Sequence, residues 1–553
     1  MPQLPQPQPD TNLANAKYSL RAQIVTMDGG AVHRDGVVCV DGSTGLIAAV
    51  LPDASQARPA GWEAEPIRIR GTIYPGLIEL HNHLCYNMLT LWRVPRQYEH
   101  HNQWPGAPEY RKLVTGPAQT LGIARAFEYL PAIVRYVECK CLVAGVTASQ
   151  GITLNGVGSA QTAFRGTVRN VEIKDPLFPK RLLPAEARIG ELTPQDVPAR
   201  FENMKKLAKE GRAYLLHLCE GVAGPNPQKS ILREFMRLNL QDRGEWAVTR
   251  SLVGIHCVAL GESHWDIMRD KGASMVWSPM SNLLLYGETA DMRIVKSKGI
   301  RIGIGSDWSP SGSKNLLGEL KVAQLYSREH DNLFTDQEIV AMATVNAAEI
   351  LGWQRDAGTV TANKVADLLV IAGTSGDPYS RLIKATEKDV YLVTIGGVPR
   401  YGRKTLVSRL VKDKARVEPW KVGRASQAFH LDVAGSAPLV VDISMRDATR
   451  KLADGLAHIK QLAEEVESAR SRGDDAFGWP RDAAAGPRWT LVFDNDDMGD
   501  AFAVAGPPLS TLLEPLELDP LTMVDDPKYL AKLDGQLAHV PDYLKRGLAA
   551  YYR

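Results

Sequence analysis

Residues 75–83 read Pro75-Gly76-Leu77-Ile78-Glu79-Leu80-His81-Asn82-His83, an apolar run that ends in His-x-His. A short apolar stretch opened by Pro-Gly predicts a buried strand. Side chains two apart on a strand share a face, so His81 and His83 point the same way. Two imidazoles so placed can share one divalent cation. The arrangement then repeats downstream: His217 ends Tyr214-Leu215-Leu216-His217, His256 ends Leu252-Val253-Gly254-Ile255-His256, and Asp307 follows Ile302-Gly303-Ile304-Gly305-Ser306. A lone core histidine is ordinarily a structural group satisfied by hydrogen bonds. Four strand-then-ligand arrangements in a chain with 12 histidines make coincidence the minor reading.

The runs that carry these residues belong to a longer rhythm. Strands are expected near 75–81, 144–150, 164–172, 213–218, 251–257, 273–278 and 301–305, with helices such as Ala199 to Glu210 between them. One more strand is expected between 172 and 213, where no run marks it. Alternation of this kind means a parallel α/β sheet, and eight strands close a (β/α)8 barrel. A doubly wound nucleotide fold is disfavoured because no Gly-x-Gly-x-x-Gly opens the first unit.

The flanks read differently. Residues 1–16 form a Pro- and Gln-rich leader, and 17–73 hold short strands broken by Asp-Gly and Gly pairs. Strand-like Ala366 to Ile371 and Val390 to Ile395 return to that pattern, so 17–73 and 361–412 are read as two parts of one composite β-sandwich around a barrel at 74–360. Residues 413–553 are an α+β extension of unread role, with an amphipathic helix over 446–470 between strand-like 439–443 and 489–493. The fold class is therefore α/β: a TIM-like barrel, a small composite β-sandwich and a C-terminal extension. The acidic stretch 494–500 opens like a calcium loop, but Ala505 stands where its last carboxylate belongs, so a solvated turn is the reading.

Composition narrows the function. The 553 residues carry 65 Lys plus Arg against 63 Asp plus Glu, a formal charge of +2, which offers no field to gather nucleic acid or an anionic membrane. No basic n-region or apolar h-region opens the chain and no run approaches a bilayer span, so a cytoplasmic location is expected. The six cysteines are sparse and read as reduced core thiols, although the Cys139-Lys140-Cys141 spacing invites a weak metal reading.

Taken together, these residues resemble the amidohydrolase superfamily, in the branch that holds chlorotriazine hydrolases, guanine deaminase and cytosine deaminase. The resemblance covers roughly residues 18–412. It rests on the run into His81 and His83, on His217 with Glu220, His256-Cys257, Ser278-Pro279-Met280-Ser281-Asn282-Leu283, Gly305-Ser306-Asp307, Ala343 to Ala348, and Gly358 through Asp367. It implies a metal-bearing (β/α)8 barrel in which His81, His83, His217 and Asp307 are the ligands. Glu220 and His256 become the proton-handling and substrate-polarising groups, with Asp307 also catalytic. No strand-borne lysine suits a second metal, so one divalent ion per chain is expected, zinc or ferrous iron. Homo-oligomers are common in the family, and a homo-oligomer is carried over with it.

Chemically, such an ion gives a hydroxide near neutral pH, and attack on an electron-poor carbon then needs a proton for the departing nitrogen. Glu220 is the candidate shuttle, provided the chain turns after the strand, which Gly221 permits. The candidate substrate contacts are Trp92, in a wall that the aromatic loop Cys85 to Pro108 builds, Trp308, which follows Asp307, and Ser281 and Asn282, which bond either the loop beneath the pocket or the substrate. The expected function is hydrolysis of a non-peptide carbon-nitrogen bond by a metal-activated hydroxide, with deamination or deamidation of a small planar nitrogen-rich molecule favoured. The alternatives are hydrolysis of an amide, carbamate or arylurea, and a catalytically silent binding module.

Overall fold

The computed structural model describes residues 12–155, 161–163, 166–175, 177–188, 190–226, 230–240, 244–431, 443–472, 490–491 and 506–552. The decisive run lies at a junction, where strand Ile67–Pro75 passes through Gly76 into β1, Leu77–Glu79. A Cβ on Gly76 would lie 2.3 Å from Thr147 Oγ1, so only glycine lets the chain pass this close to its neighbour.

β1 pairs in parallel with β2, Val146–Ser149, and β2 with β3, Arg169–Asn170. A second parallel sheet runs in the order β4 (Glu186–Arg188), β5 (Tyr214–Leu218), β6 (Leu252–His256), β7 (Ser274–Trp277) and β8 (Arg301–Ile304). Every residue of β5, β6 and β7 is buried, as expected of parallel strands covered on both faces. Backbone bonds join the two sheets at both flanks: Ala185 N donates to Val171 O (2.8 Å) beside β3 and β4, and Leu80 N to Ile304 O (3.3 Å) beside β1 and β8. The strand that no run marked between 172 and 213 is β4, three half-buried residues, Glu-Ala-Arg.

Residues from both flanks interleave in one nine-stranded sheet. Its order is Glu418–Val422, Ala425–Phe429, Val398–Arg403, Val390–Ile395, Leu368–Ala372, Ile67–Pro75, Lys17–Val25, Val32–Asp41 and Leu46–Leu51. Residues 418–429, beyond the boundary read at 412, thus supply two of its strands. Further on, two helices stand where one was expected over 446–470: Met445–Ala457, with Ser444 Oγ accepting from Asp447 N (3.0 Å), and Ile459–Ser471. His458 separates them, its ring nitrogen bonding Asp454 O (2.9 Å). Leu452, Leu456, Ile459, Leu462, Ala463 and Val466 are buried, and the two helices pack on Leu130–Val143 and Gly116–Phe127. Of the strand expected over 489–493, Thr490–Leu491 pairs with Leu154 and Asn155. Residues 439–442 and the acidic stretch 494–500 lie outside the described residues.

The stretch after residue 513 ties loops of the parallel sheets together. Asp519 N donates to Met88 O (2.9 Å), Gln536 bonds Trp92 O (3.0 Å) and Val94 N (3.1 Å), and His539 Nε2 donates to Leu284 O (2.9 Å). Its anchor is a buried set of charges. Lys314 Nζ lies 2.6 Å from Asp519 Oδ1 and 2.7 Å from Asp526 Oδ2, while Lys140 Nζ bonds Asp519 Oδ2, Asn87 O (2.8 Å) and Ser309 Oγ (2.6 Å). Two lysines face two aspartates, so no net charge is buried. Cys139 and Cys141, on either side of Lys140, are buried thiols that burial pushes well above the usual range, and no metal-competent group among the described residues includes a cysteine. Among those residues no helix is long and apolar enough to cross a membrane.

Removing one partner of a buried pair strands the other charge. Asp519→Ala is therefore expected to lower stability by about 3–5 kcal/mol in urea denaturation. Asp526→Ala should cost less, since Lys314 keeps Asp519.

Candidate active site

β1 and β8 deliver the first polar groups. Asp307 N donates to His81 O (3.2 Å) and His83 N to Asp307 O (2.6 Å), so the two strand ends run side by side beyond the sheet. Beneath them the buried Glu79 carboxylate accepts from Ser306 N (3.1 Å) and Ser306 Oγ (2.5 Å), and Asn82 Nδ2 donates to Ser306 Oγ (3.1 Å). Asp307 adopts φ +65°, His256 φ +65°, Cys219 φ +54° and Cys257 φ +51°, left-handed conformations that non-glycine residues seldom take. Backbone strain of this kind persists only where surrounding bonds over-determine it.

Six residues singled out in the sequence converge. Asp307 Oδ1 lies 3.0 Å from His81 Nε2 and 3.3 Å from His83 Nε2. The His81 ring centroid is 4.8 Å from that of His83, 4.7 Å from His217 and 5.1 Å from His256. Glu220 Oε2 lies 3.8 Å from His256 Nε2. Two overlapping triads, His81 with His83 and Asp307, and His81 with His217 and His256, each bring their ligand atoms within 4.8 Å of one another.

The donor chemistry fits a cation. His81 Nδ1 bonds Gln150 Oε1 (2.9 Å), so its buried Nε2, 3.0 Å from Asp307 Oδ1, faces the cluster. His256 Nδ1 bonds Asn282 Oδ1 (2.9 Å), whose Nδ2 donates to Thr289 Oγ1 (3.1 Å), so His256 Nε2 is an acceptor facing inward. Burial and the neighbouring imidazoles hold His217 well below the usual imidazole range, and burial pushes His256 down to about 3. Both are neutral near pH 7, as metal ligands must be. Burial opposes the ionisation of Asp307, but His81 and His83 outweigh it and hold its carboxyl well below the usual range.

Glu220 behaves oppositely. Burial pushes it up to about 7, against the pull of His101 and of a hydrogen bond from Tyr286. The turn that brings it beside His256 is made at Cys219, not by Gly221 alone. Glu234 Oε2 accepts from Cys219 N (2.5 Å), His101 N donates to Glu220 O (3.1 Å), and Glu234 Oε1 lies 2.9 Å from His101 Nε2. Gly221 is needed for a different reason, because a Cβ there would stand 2.3 Å from Glu99 O.

Of the expected substrate contacts, Trp308 lies over the cluster, its ring 5.3 Å from that of His83 and 5.0 Å from Tyr86. Trp104 and Tyr110 pack behind it at 5.9 and 6.0 Å. Trp92 is one ring further out, 5.5 Å from Tyr110. Asn282 spends both ends of its amide on His256 and Thr289, beneath the site, and Ser281 is buried on the same helix, Pro279–Tyr286. Sequence reasoning missed Gln150, Glu234 and Tyr286. Gln150 follows the end of β2, and the strand-end rule that found His217 would have found it.

The amidohydrolase family model matches residues 72–399, more than half of the chain. A 5-methylthioadenosine/S-adenosylhomocysteine deaminase of Symbiobacterium thermophilum is 30% identical over 127 residues, 22% of this chain and 29% of that protein. Its counterpart in Acetivibrio thermocellus is 30% identical over 160 residues, 26% of this chain and 36% of that protein. The matches thus span about a third of these curated relatives. Among solved structures, atrazine chlorohydrolase from Arthrobacter aurescens TC1 complexed with zinc superposes with a TM-score of 0.51 at 19% identity, covering 69% of this chain and 94% of that one. Escherichia coli guanine deaminase gives 0.50 at 16%, covering 70% and 100%. At these identities the structural likeness is one of fold.

Gln150→Leu frees His81 Nδ1 and should weaken divalent-ion affinity about 10–100-fold in competition with a chromophoric chelator. Unchanged affinity would mean that the Gln150 bond does not orient His81 for the ion.

Proposed function

Because the chain belongs to the amidohydrolase family, we propose that it hydrolyses a carbon-nitrogen bond other than a peptide bond, by deamination or deamidation of a small planar nitrogen-rich molecule. The observation that carries the reading is Glu220: a buried carboxyl with a proton affinity matched to neutral pH, 3.8 Å from the His256 imidazole. The deaminase names of the partial relatives agree with it. In the proposed layout the eight parallel strands close as a (β/α)8 barrel over 74–360, with 17–73 and 361–412 joined by strands Glu418–Val422 and Ala425–Phe429 in the composite β domain, and the remainder of 413–553 as the extension. The hydrogen bonds at both sheet flanks and the fold of the solved neighbours support that closure.

His81, His83, His217 and Asp307 are proposed to hold one divalent ion, zinc or ferrous iron. When bound, that ion supplies a nucleophilic hydroxide from water at neutral pH. The chain's own groups do the rest. Glu220 carries a proton toward the departing nitrogen. His256, held by Asn282, presents Nε2 as an acceptor that orients an O–H or N–H in the site. Trp308 stacks on a planar substrate, and Trp92 and Ser281 complete the wall behind it.

Zinc- or iron-loaded protein is expected to release ammonia from aminated heterocycles. Glu220→Gln should lower that rate about 10²–10⁴-fold while the metal stays bound by elemental analysis. Turnover confined to amides, carbamates or ureas would overturn the deaminase assignment, and none in metal-replete protein would favour a binding role.

A further inference from the structure

Among the described residues, Tyr286 is the side chain that hydrogen-bonds the Glu220 carboxyl. Tyr286 Oη lies 2.6 Å from Glu220 Oε1, and Trp104 Nε1 lies 3.0 Å from the same phenolic oxygen. An indole N–H is a donor with no acceptor capacity, so the Tyr286 oxygen must accept from Trp104. Its single hydrogen is then left for Glu220 Oε1. All three side chains are buried, so no bulk water competes for these bonds.

The consequence falls on the other carboxylate oxygen. With Oε1 committed as an acceptor, a proton on Glu220 sits on Oε2, the oxygen 3.8 Å from His256 Nε2. We propose that Tyr286, oriented by Trp104, is a positioning residue that fixes the Glu220 carboxyl plane and restricts its proton traffic to Oε2; the inference rests on the hydrolytic reading above. In the reaction a C–O bond forms, the C–N bond breaks with its electron pair leaving on nitrogen, and one proton passes from the water oxygen to that nitrogen through Oε2. Glu220 ends as it began.

The fold supports this role. Tyr286 is the last residue of helix Pro279–Tyr286, and Asn282 stands one turn before it. Residues four apart share a helix face, so one short helix sets His256 through Asn282 and Glu220 through Tyr286. Tyr98 N bonds Leu285 O (2.9 Å) and His539 Nε2 bonds Leu284 O (2.9 Å), which pins the helix end from two directions.

The test compares holoenzyme of the wild type with Tyr286→Phe, Trp104→Phe and the double variant, on whichever substrate the ammonia screen identifies. Tyr286→Phe removes one hydroxyl and is expected to lower kcat about 10–100-fold, with KM and metal content unchanged. Trp104→Phe should lower kcat less, and should add nothing to kcat in the Tyr286→Phe background, because it acts through that hydroxyl. An unaffected kcat in Tyr286→Phe beside an active wild type overturns the inference and leaves the hydrolytic reading intact. Crystal structures give a readout independent of turnover: the Glu220 carboxylate is expected to rotate when the hydroxyl is lost, and an unmoved carboxylate overturns the positioning role. No turnover in the wild type overturns the hydrolytic reading and the proton route with it.

Discussion

Two backbone hydrogen bonds between His81, His83 and Asp307 are the constraint on which the rest of the site depends. They fasten the end of the first parallel strand to the end of the last, and so bring the His-x-His pair and the carboxylate to one point. Without that junction, the His-x-His pair and Asp307 would not be held at one point. Glu79, satisfied by the Ser306 backbone and hydroxyl, shores up the junction from below. A buried carboxylate is costly unless its lone pairs are filled, and here the filling group belongs to the residue before Asp307.

Around this junction, strain and burial are held together by bonds that reach in from elsewhere. Cys219 accepts an unfavourable backbone conformation because Glu234 takes its N–H, and that turn, more than the strand itself, aims Glu220. The neutral imidazoles are the complement of this acidic corner. Asn282 occupies the outer nitrogen of His256, which turns its inner nitrogen into an acceptor, and Gln150 holds the outer nitrogen of His81.

Much of this was legible in the sequence, and the reasons differ by element. The metal-competent residues could be read because each follows an apolar strand, and strand periodicity says which way such a residue points. The same rule failed for the fourth parallel strand, since Glu186-Ala187-Arg188 has no apolar run to announce it. It failed for the turn at Glu220 as well, where attention went to Gly221 although Cys219 also bears a positive φ. Tyr286 and Glu234 were invisible because their importance lies in which distant atoms they meet. The Lys140 charge set was hidden in the same way: a lysine inside an apolar helix is a visible anomaly, but its partner Asp519 lies in the stretch of chain that sequence patterns described least.

The interleaved sheet also has a history in time. Strand Ile67–Pro75 pairs with Leu368–Ala372, nearly three hundred residues later. At ribosomal rates of about 5–20 residues per second, that strand waits roughly 15–60 s for its neighbour. During synthesis its apolar edge is open, and the adjoining histidine pair has no closing strand. The nascent chain is therefore most exposed to faulty pairing in the interval when its most recognisable motif is already complete, and a holding chaperone would find its longest opportunity there.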